Sequence, residues 1–147
     1  MTWEWKLFAR LTPSELYDAL ALRQTVFVVE QRCPYLDADG RDRNALHLLG
    51  RDESGILVAY LRLLPPGSRF PQASIGRVVV APTHRGRGLG RQLMVRALEQ
   101  CGRDYPGEPL ALSAQQYLEQ FYASLGFVPT GEPYDEDGIP HIDMIRP

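Results

Sequence analysis

One stretch, Ser74 to Cys101, narrows the folds open to this chain more than any other. The run Ile75-Gly76-Arg77-Val78-Val79-Val80 is largely apolar and β-branched, the make-up of a buried strand. A break at Ala81-Pro82-Thr83-His84 leads into Arg85-Gly86-Arg87-Gly88-Leu89-Gly90, and Leu89, Leu93, Ala97 and Cys101 then recur on one helical face. The order is strand, glycine-rich turn, helix. The first N–H groups of a helix have no partner within it and sit at the positive end of its dipole. A diphosphate placed there is held by backbone donors and by charge. Gly86, Gly88 and Gly90 allow close backbone approach, and Arg85, Arg87 and Arg91 add positive charge.

Neither of two common phosphate motifs fits this turn. A Walker loop ends in Gly-Lys-Ser/Thr, whereas this one runs into Leu89-Gly90-Arg91. A dinucleotide fingerprint needs a third glycine where Arg91 stands. The pattern that does fit is R-x-x-G-x-G, as Arg85, Gly88 and Gly90. Taken alone, it is also compatible with a tight strand-to-helix connection that binds nothing.

The remaining elements follow from local signals. Trp3 to Phe8 alternates apolar and polar residues, as a first strand does. Thr12-Pro13-Ser14-Glu15 opens a helix with a capping threonine, a first-turn proline and a glutamate able to complete a capping box. Arg23 falls on the stripe of Leu16, Leu20 and Phe27, either to snorkel past the core or to serve a partner. The polar stretch Arg32 to Asp42 reads as a loop. His47–Asp52 and Ile56–Leu64 read as a hairpin, with His47 an ordinary strand residue, and Leu110–Ala114 as a strand. Tyr117–Leu125 reads as a helix, and Phe127–Tyr134 and His141–Ile145 as two last strands with a loop longer than two residues before the second. The helix from Gly88 is expected to end near Gly102. The sum is one α/β (α+β) domain over residues 1–147.

A net charge of −2 speaks against nucleic acid or an anionic membrane as partner. No apolar run reaches the roughly 18 residues of a membrane helix, and Met1–Lys6 does not resemble a signal peptide. Cys33 and Cys101 are too few for a disulfide scaffold, so reduced thiols and a cytoplasmic setting are expected. The D-x-D-G spacing at Asp37, Asp39 and Gly40 lacks the other ligands of a calcium loop, and no metal is expected.

Three pieces together carry a family resemblance. The first is Arg85, Gly88 and Gly90 after the strand. About 30 residues on comes Phe121-Tyr122-Ala123-Ser124-Leu125-Gly126-Phe127, an F-Y-x-x-x-G-F ending. The third is Leu22 to Gln31 followed by Cys33-Pro34-Tyr35, Asp37 and Asp39-Gly40, with Tyr134 and Glu136 to Ile142 near the other end. The set resembles the GCN5-related N-acetyltransferases (GNAT), and the third piece is similar to their ElaA-like members.

The resemblance implies a mixed, mostly antiparallel sheet of about six to seven strands, with flanking helices and a central parallel pair that splays. Acetyl-CoA would lie in that splay, along Val78, Val79 and Val80, with its pyrophosphate on Arg85, Gly86, Arg87, Gly88, Leu89, Gly90 and Arg91. Tyr122 would contact the cofactor and protonate the departing thiolate. An aromatic core residue with a wet tip is the plainer role for it. The reaction would be direct attack by a primary amine on the thioester.

That chemistry has its own requirements. The amine must shed a proton to a base or to water. The developing oxyanion needs a donor, for which the Val80 N–H is the candidate. Glu30 is the first candidate base, if partial burial after an apolar run raises its pKa; it is equally well read as paired with Arg23. His141 is the second. Arg23, Phe27, Glu30, Tyr35, Asp37, Asp39 and His141 are the expected acceptor-side residues. The acidic ones there, with the Asp135-Glu136-Asp137 turn, would favour a cationic small molecule or peptide amine. A non-catalytic acyl-CoA sensor and a transferase of longer acyl groups are the alternatives. A homodimer through an edge strand or the C-terminal hairpin is also compatible with the sequence.

Overall fold

The computed structural model describes all residues, Met1–Pro147. Its elements are β1 (Thr2–Leu7), α1 (Pro13–Gln24), β2 (Leu46–Arg51), β3 (Leu57–Leu64), β4 (Ala73–Val80), α2 (Leu89–Asp104), β5 (Leu110–Gln115), α3 (Glu119–Ala123), β6 (Val128–Pro129), β7 (Tyr134–Glu136) and β8 (Ile139–Arg146). The eight strands form one sheet in the order β1-β2-β3-β4-β5-β8-β6, with β7 also on β8. Only β4 and β5 run parallel; every other pair is antiparallel.

Side-chain alternation divides the core between the two faces of the sheet. Leu48, Ala59, Leu61 and Leu63 join Leu93, Met94, Ala97 and Cys101 of α2 on one face. Leu49, Tyr60 and Val79 join Ala19 and Leu22 of α1 on the other. Cys101 is therefore core, as its place on the α2 stripe predicts. At α1 the capping box forms: Thr12 Oγ1 accepts from the Glu15 N–H, and Glu15 accepts from the Thr12 N–H.

Four expectations need correction. The run Phe127–Tyr134 is not one strand but two short ones, β6 and β7, which pair with opposite ends of β8. Gly131 and Pro133 lie in the gap between them and favour turns over a ladder. The β7–β8 connection is only two residues, because Asp137 (φ 54°) and Gly138 (φ 82°) both take the left-handed conformation that a tight hairpin requires. Helix α2 runs through Gly102 to Asp104, and Pro106-Gly107 follows. Lastly, the apolar run after α1 continues as a π-turn, Thr25–Glu30, in which the Gln31 N–H bonds the Val26 carbonyl at 3.0 Å, five residues back.

Candidate active site

β4 and β5 pair only at Ala73–Leu110 and Ser74–Ala111, then separate. Beyond that point β4 is bulged: Tyr60 faces Val79 and Arg62 faces Gly76, which leaves Leu61 opposite both Arg77 and Val78. Arg77 carries the strain of the bulge, at φ 49°. The separation opens a cavity of about 760 Å³. Val78, Val79 and Val80 of β4 and Leu112 of β5 line it, as do Phe27, Glu30 and Gln31 of the π-turn end, Tyr35 and Asp39 of the following loop, and Leu118, Phe121 and Tyr122 around α3. Glu136, Asp137 and His141 close it from the C-terminal hairpin.

The glycine turn forms the cavity mouth. Gly88 is the N-cap of α2 at φ 76°, and Gly86 sits at φ 77°. A Cβ at either would meet no atom within 4 Å, so it is the backbone angle that calls for glycine, and the space beside the turn is open to a ligand. Arg85, Gly86, Gly88, Leu89 and Gly90 line the cavity. Arg87 and Arg91 do not; both are exposed, and Arg91 bonds Ser124 Oγ at 2.9 Å and lies over the Phe121 ring. His84 lines the mouth, but its Nε2 is 3.2 Å from Asp52 Oδ2.

Glu30 is not the partly buried base expected. It is exposed, and both its oxygens accept from Arg85, at 2.7 and 2.8 Å. The Arg85 hydrogen bonds hold its carboxyl below the usual carboxylate range, the reverse of what a base at neutral pH needs. Its partner is the arginine of the glycine turn, not Arg23. His141 is better placed. Its Nδ1–H donates to the Ile139 carbonyl at 2.8 Å, which leaves the Nε2 lone pair free, 3.6 Å from Glu136 Oε2. Across from it, Gln31 and Gln115 exchange two side-chain amide hydrogen bonds at 3.0 and 3.3 Å and tie the π-turn to β5.

Tyr122 is buried between Phe121 and Phe127 and still borders the cavity. Burial pushes its hydroxyl pKa up to about 12, so it holds its proton at neutral pH. Cys33 also borders the cavity, with Sγ 2.8 Å from the Asp137 carbonyl.

The acidic wall expected at Asp37 and Asp39 takes another form. Asp37 is buried and does not reach the cavity; Arg23 Nε lies 2.9 Å from its Oδ2 and Arg77 Nε 2.9 Å from its Oδ1. Asp39 receives two bonds from Arg62. Burial opposes the charge of Asp39, but the Arg62 guanidinium outweighs it and holds the carboxyl far below the usual range. Arg23 is 1% exposed and also bonds Asp42, so it neither snorkels nor meets a substrate. Two buried arginines on facing elements consume these carboxylates, and the network fixes the loop 32–42 against the sheet. His47 belongs to it as well: buried, it bonds the Tyr60 hydroxyl at 2.6 Å and the Asp42 carbonyl at 2.9 Å.

Several cavity residues escaped the sequence reading: Gln31, Gln115, Arg41, Arg69 and Arg77. For Arg77 a signal was present, a lone charge inside an apolar strand run.

Comparison with known proteins bears on this site. A family model described as an acetyltransferase (GNAT) domain matches residues 27–146. The UPF0039 protein of Synechocystis is 46% identical over 145 residues, spanning 99% of this chain and 94% of that protein. An acyl-CoA N-acyltransferase from Pseudomonas aeruginosa, known from its crystal structure, superposes with a TM-score of 0.93 at 48% identity, both chains being covered in full. Escherichia coli ElaA superposes with a TM-score of 0.92 at 44% identity over 99% of each chain.

Proposed function

The chain belongs to the GNAT acetyltransferase family and has its acyl-CoA N-acyltransferase fold, and from that premise we propose that it transfers an acetyl group from acetyl-CoA to a primary amine within a ternary complex. The observation that carries this is the parting of β4 and β5 directly beside the open glycine turn. An extended ligand laid along Val78–Val80 meets strand backbone that has no partner on the β5 side, and its diphosphate end meets the N–H groups from Gly86 to Gly90. Acetyl-CoA supplies an activated thioester when bound there.

The chain supplies the rest. The Val80 N–H is the donor toward the developing oxyanion. Tyr122, protonated because it is buried, is the acid for the leaving sulfur. His141 Nε2 is the base that best fits the geometry, with Glu136 beside it to steady the imidazolium that forms. Glu30 belongs instead to the cofactor end, through Arg85. We take residues 1–147 as one catalytic domain. Two buried free thiols suit a reducing cytoplasm. The unpaired edge of β1 is a surface through which a homodimer would form.

Release of free thiol from acetyl-CoA, measured against a panel of amines at pH 6–9, tests the reading. Tyr122→Phe should lower kcat at least tenfold while the acetyl-CoA Kd by calorimetry stays within about twofold. Equal turnover in the variant removes Tyr122 from the mechanism. Tight acetyl-CoA binding with no thiol release from any amine would turn the reading toward a sensor.

A further inference from the structure

The loss of the expected acidic wall changes what the acceptor end of the cavity can recognise. Asp37 and Asp39 are neutralised by arginines within the fold, so they no longer mark a site for a simple cation. What reaches the cavity is mixed. Arg41, Arg69 and Arg77 line it together with Asp39, Glu136 and Asp137.

Arg77 is the best prepared of the three arginines. Its Nε donates to Asp37 Oδ1 at 2.9 Å and its Nη2 to the Asp37 carbonyl at 3.1 Å. Its guanidinium lies over the Tyr35 ring, 5.6 Å from the centroid. Asp37 is in turn held from behind by buried Arg23. The side chain is therefore clamped on one edge and one face, and the Nη1 edge remains for a ligand. A left-handed non-glycine residue in the middle of a strand is strain, and strain of this kind gathers where side-chain aim matters. Arg41 follows on the same loop, its backbone N–H bonded to Asp39 Oδ1, and Asp39 Oδ2 stands 3.5 Å from Arg77 Nη2. The Arg41 backbone and the Arg77 guanidinium thus meet at one carboxylate of the chain, and both residues line the cavity. From the C-terminal hairpin, Glu136 reaches the cavity with one oxygen 3.6 Å from His141 Nε2 and the other 3.6 Å from Arg69 Nη2.

Resting on the acetyltransferase reading, we infer that the acceptor is an amine that also carries a carboxylate, bound with its carboxylate at Arg77 and Arg41 and its amine toward His141 and Glu136. A planar carboxylate matches the free edge of a held guanidinium. A dianionic phosphate fits less well, because Glu136 and Asp137 border the same space and repel a second negative charge. A plain polyamine would leave the Arg77 edge without a counter-charge.

Matched acceptors test this. Thiol release from acetyl-CoA is followed with L-lysine against cadaverine, and with L-phenylalanine against phenethylamine. In the better pair the carboxylate-bearing amine should show a kcat/KM about tenfold or more above its partner, the scale of a charge-assisted bond. Arg77→Gln and Arg41→Gln should each shrink that ratio below about threefold, mainly through KM. Arg77→Gln leaves Asp37 short of a partner and is checked for folding; Arg41→Gln breaks no ion pair of the fold and carries the test if Arg77→Gln fails. Ratios within threefold in the unaltered protein, or a ratio unmoved by Arg41→Gln, overturn the inference and leave the transferase standing. No release from any amine, with acetyl-CoA still bound, overturns both.

Discussion

Glu30 and Arg85 meet through both carboxylate oxygens and both terminal guanidinium nitrogens, so the fork that would face a diphosphate already faces a carboxylate of the chain. Two anions then compete for one cation. The pair is exposed, which limits its strength and makes it sensitive to salt. Glu30→Gln should therefore tighten coenzyme A binding about two- to fivefold in calorimetry at low salt, and the gain should vanish near ~0.5 M salt. Weaker binding in the variant would mean that Glu30 orients Arg85 for the phosphate and does not compete for it. The pairing was hidden in the sequence because the two residues lie 55 positions apart, and an apolar run before a glutamate says nothing of whether the carboxylate tip escapes to solvent. The places of Tyr122 and of the glycines on the cavity were legible for the opposite reason, since each belongs to a short motif of its own, F-Y-x-x-x-G-F and R-x-x-G-x-G.

Among the elements, β1 and β2 show how close packing decides a residue type. Trp3 stands opposite Gly50 in register, with Arg96 over its ring at 4.9 Å. A Cβ at Gly50 would lie 2.6 Å from the Trp3 ring and 3.1 Å from Ala59 Cβ. Gly50→Ala should cost about 1–3 kcal/mol in urea unfolding, the range for overpacking, with acetyl-CoA affinity unchanged because the contact is remote from the cavity. A neutral effect would mean that the Trp3 ring swings aside freely. Strands and helices were legible where apolar runs, turns or caps were strong: α1 from its capping box, β2 and β3 from two mostly apolar runs on either side of Glu53-Ser54-Gly55, and β4 with the turn behind it. The π-turn, the bulge at Arg77 and the division of the 127–134 run were not. The bulge depends on a strand partner elsewhere in the chain, the π-turn on a local bond five residues long that apolar periodicity does not tell from an α-turn, and the division on Gly131 and Pro133, a turn signal that the apolar run outweighs in a linear reading.

Over the whole molecule, stability should carry the signature of the buried network around His47. The Asp42 carbonyl can only accept, so His47 Nε2 bears the hydrogen and Nδ1 accepts from the Tyr60 hydroxyl. This is the neutral ring, and protonation would force the Tyr60 hydroxyl to turn from donor to acceptor. Burial is the main reason its pKa falls below the ordinary value, and Arg23 and Arg62 act in the same direction against the attraction of Asp42. The sign follows from linkage. Below about pH 6.5 the unfolded chain takes a proton at His47 that the folded chain refuses, so stability falls with pH, by at most about 1.4 kcal/mol per pH unit. Asp39 and Asp42 are also held below their unfolded values. Burial opposes their charge, but the arginines outweigh it, and the stability they add is present at neutral pH and lost only in stronger acid, below about pH 4. The two effects therefore occupy separate windows. Urea unfolding at pH 7.5, 6.5 and 5.5 should show a loss of up to about 1 kcal/mol over the lower step, and in His47→Gln, less stable throughout, that step should flatten. An equal slope in the variant would assign the loss to another group and would place His47 outside the network's proton linkage.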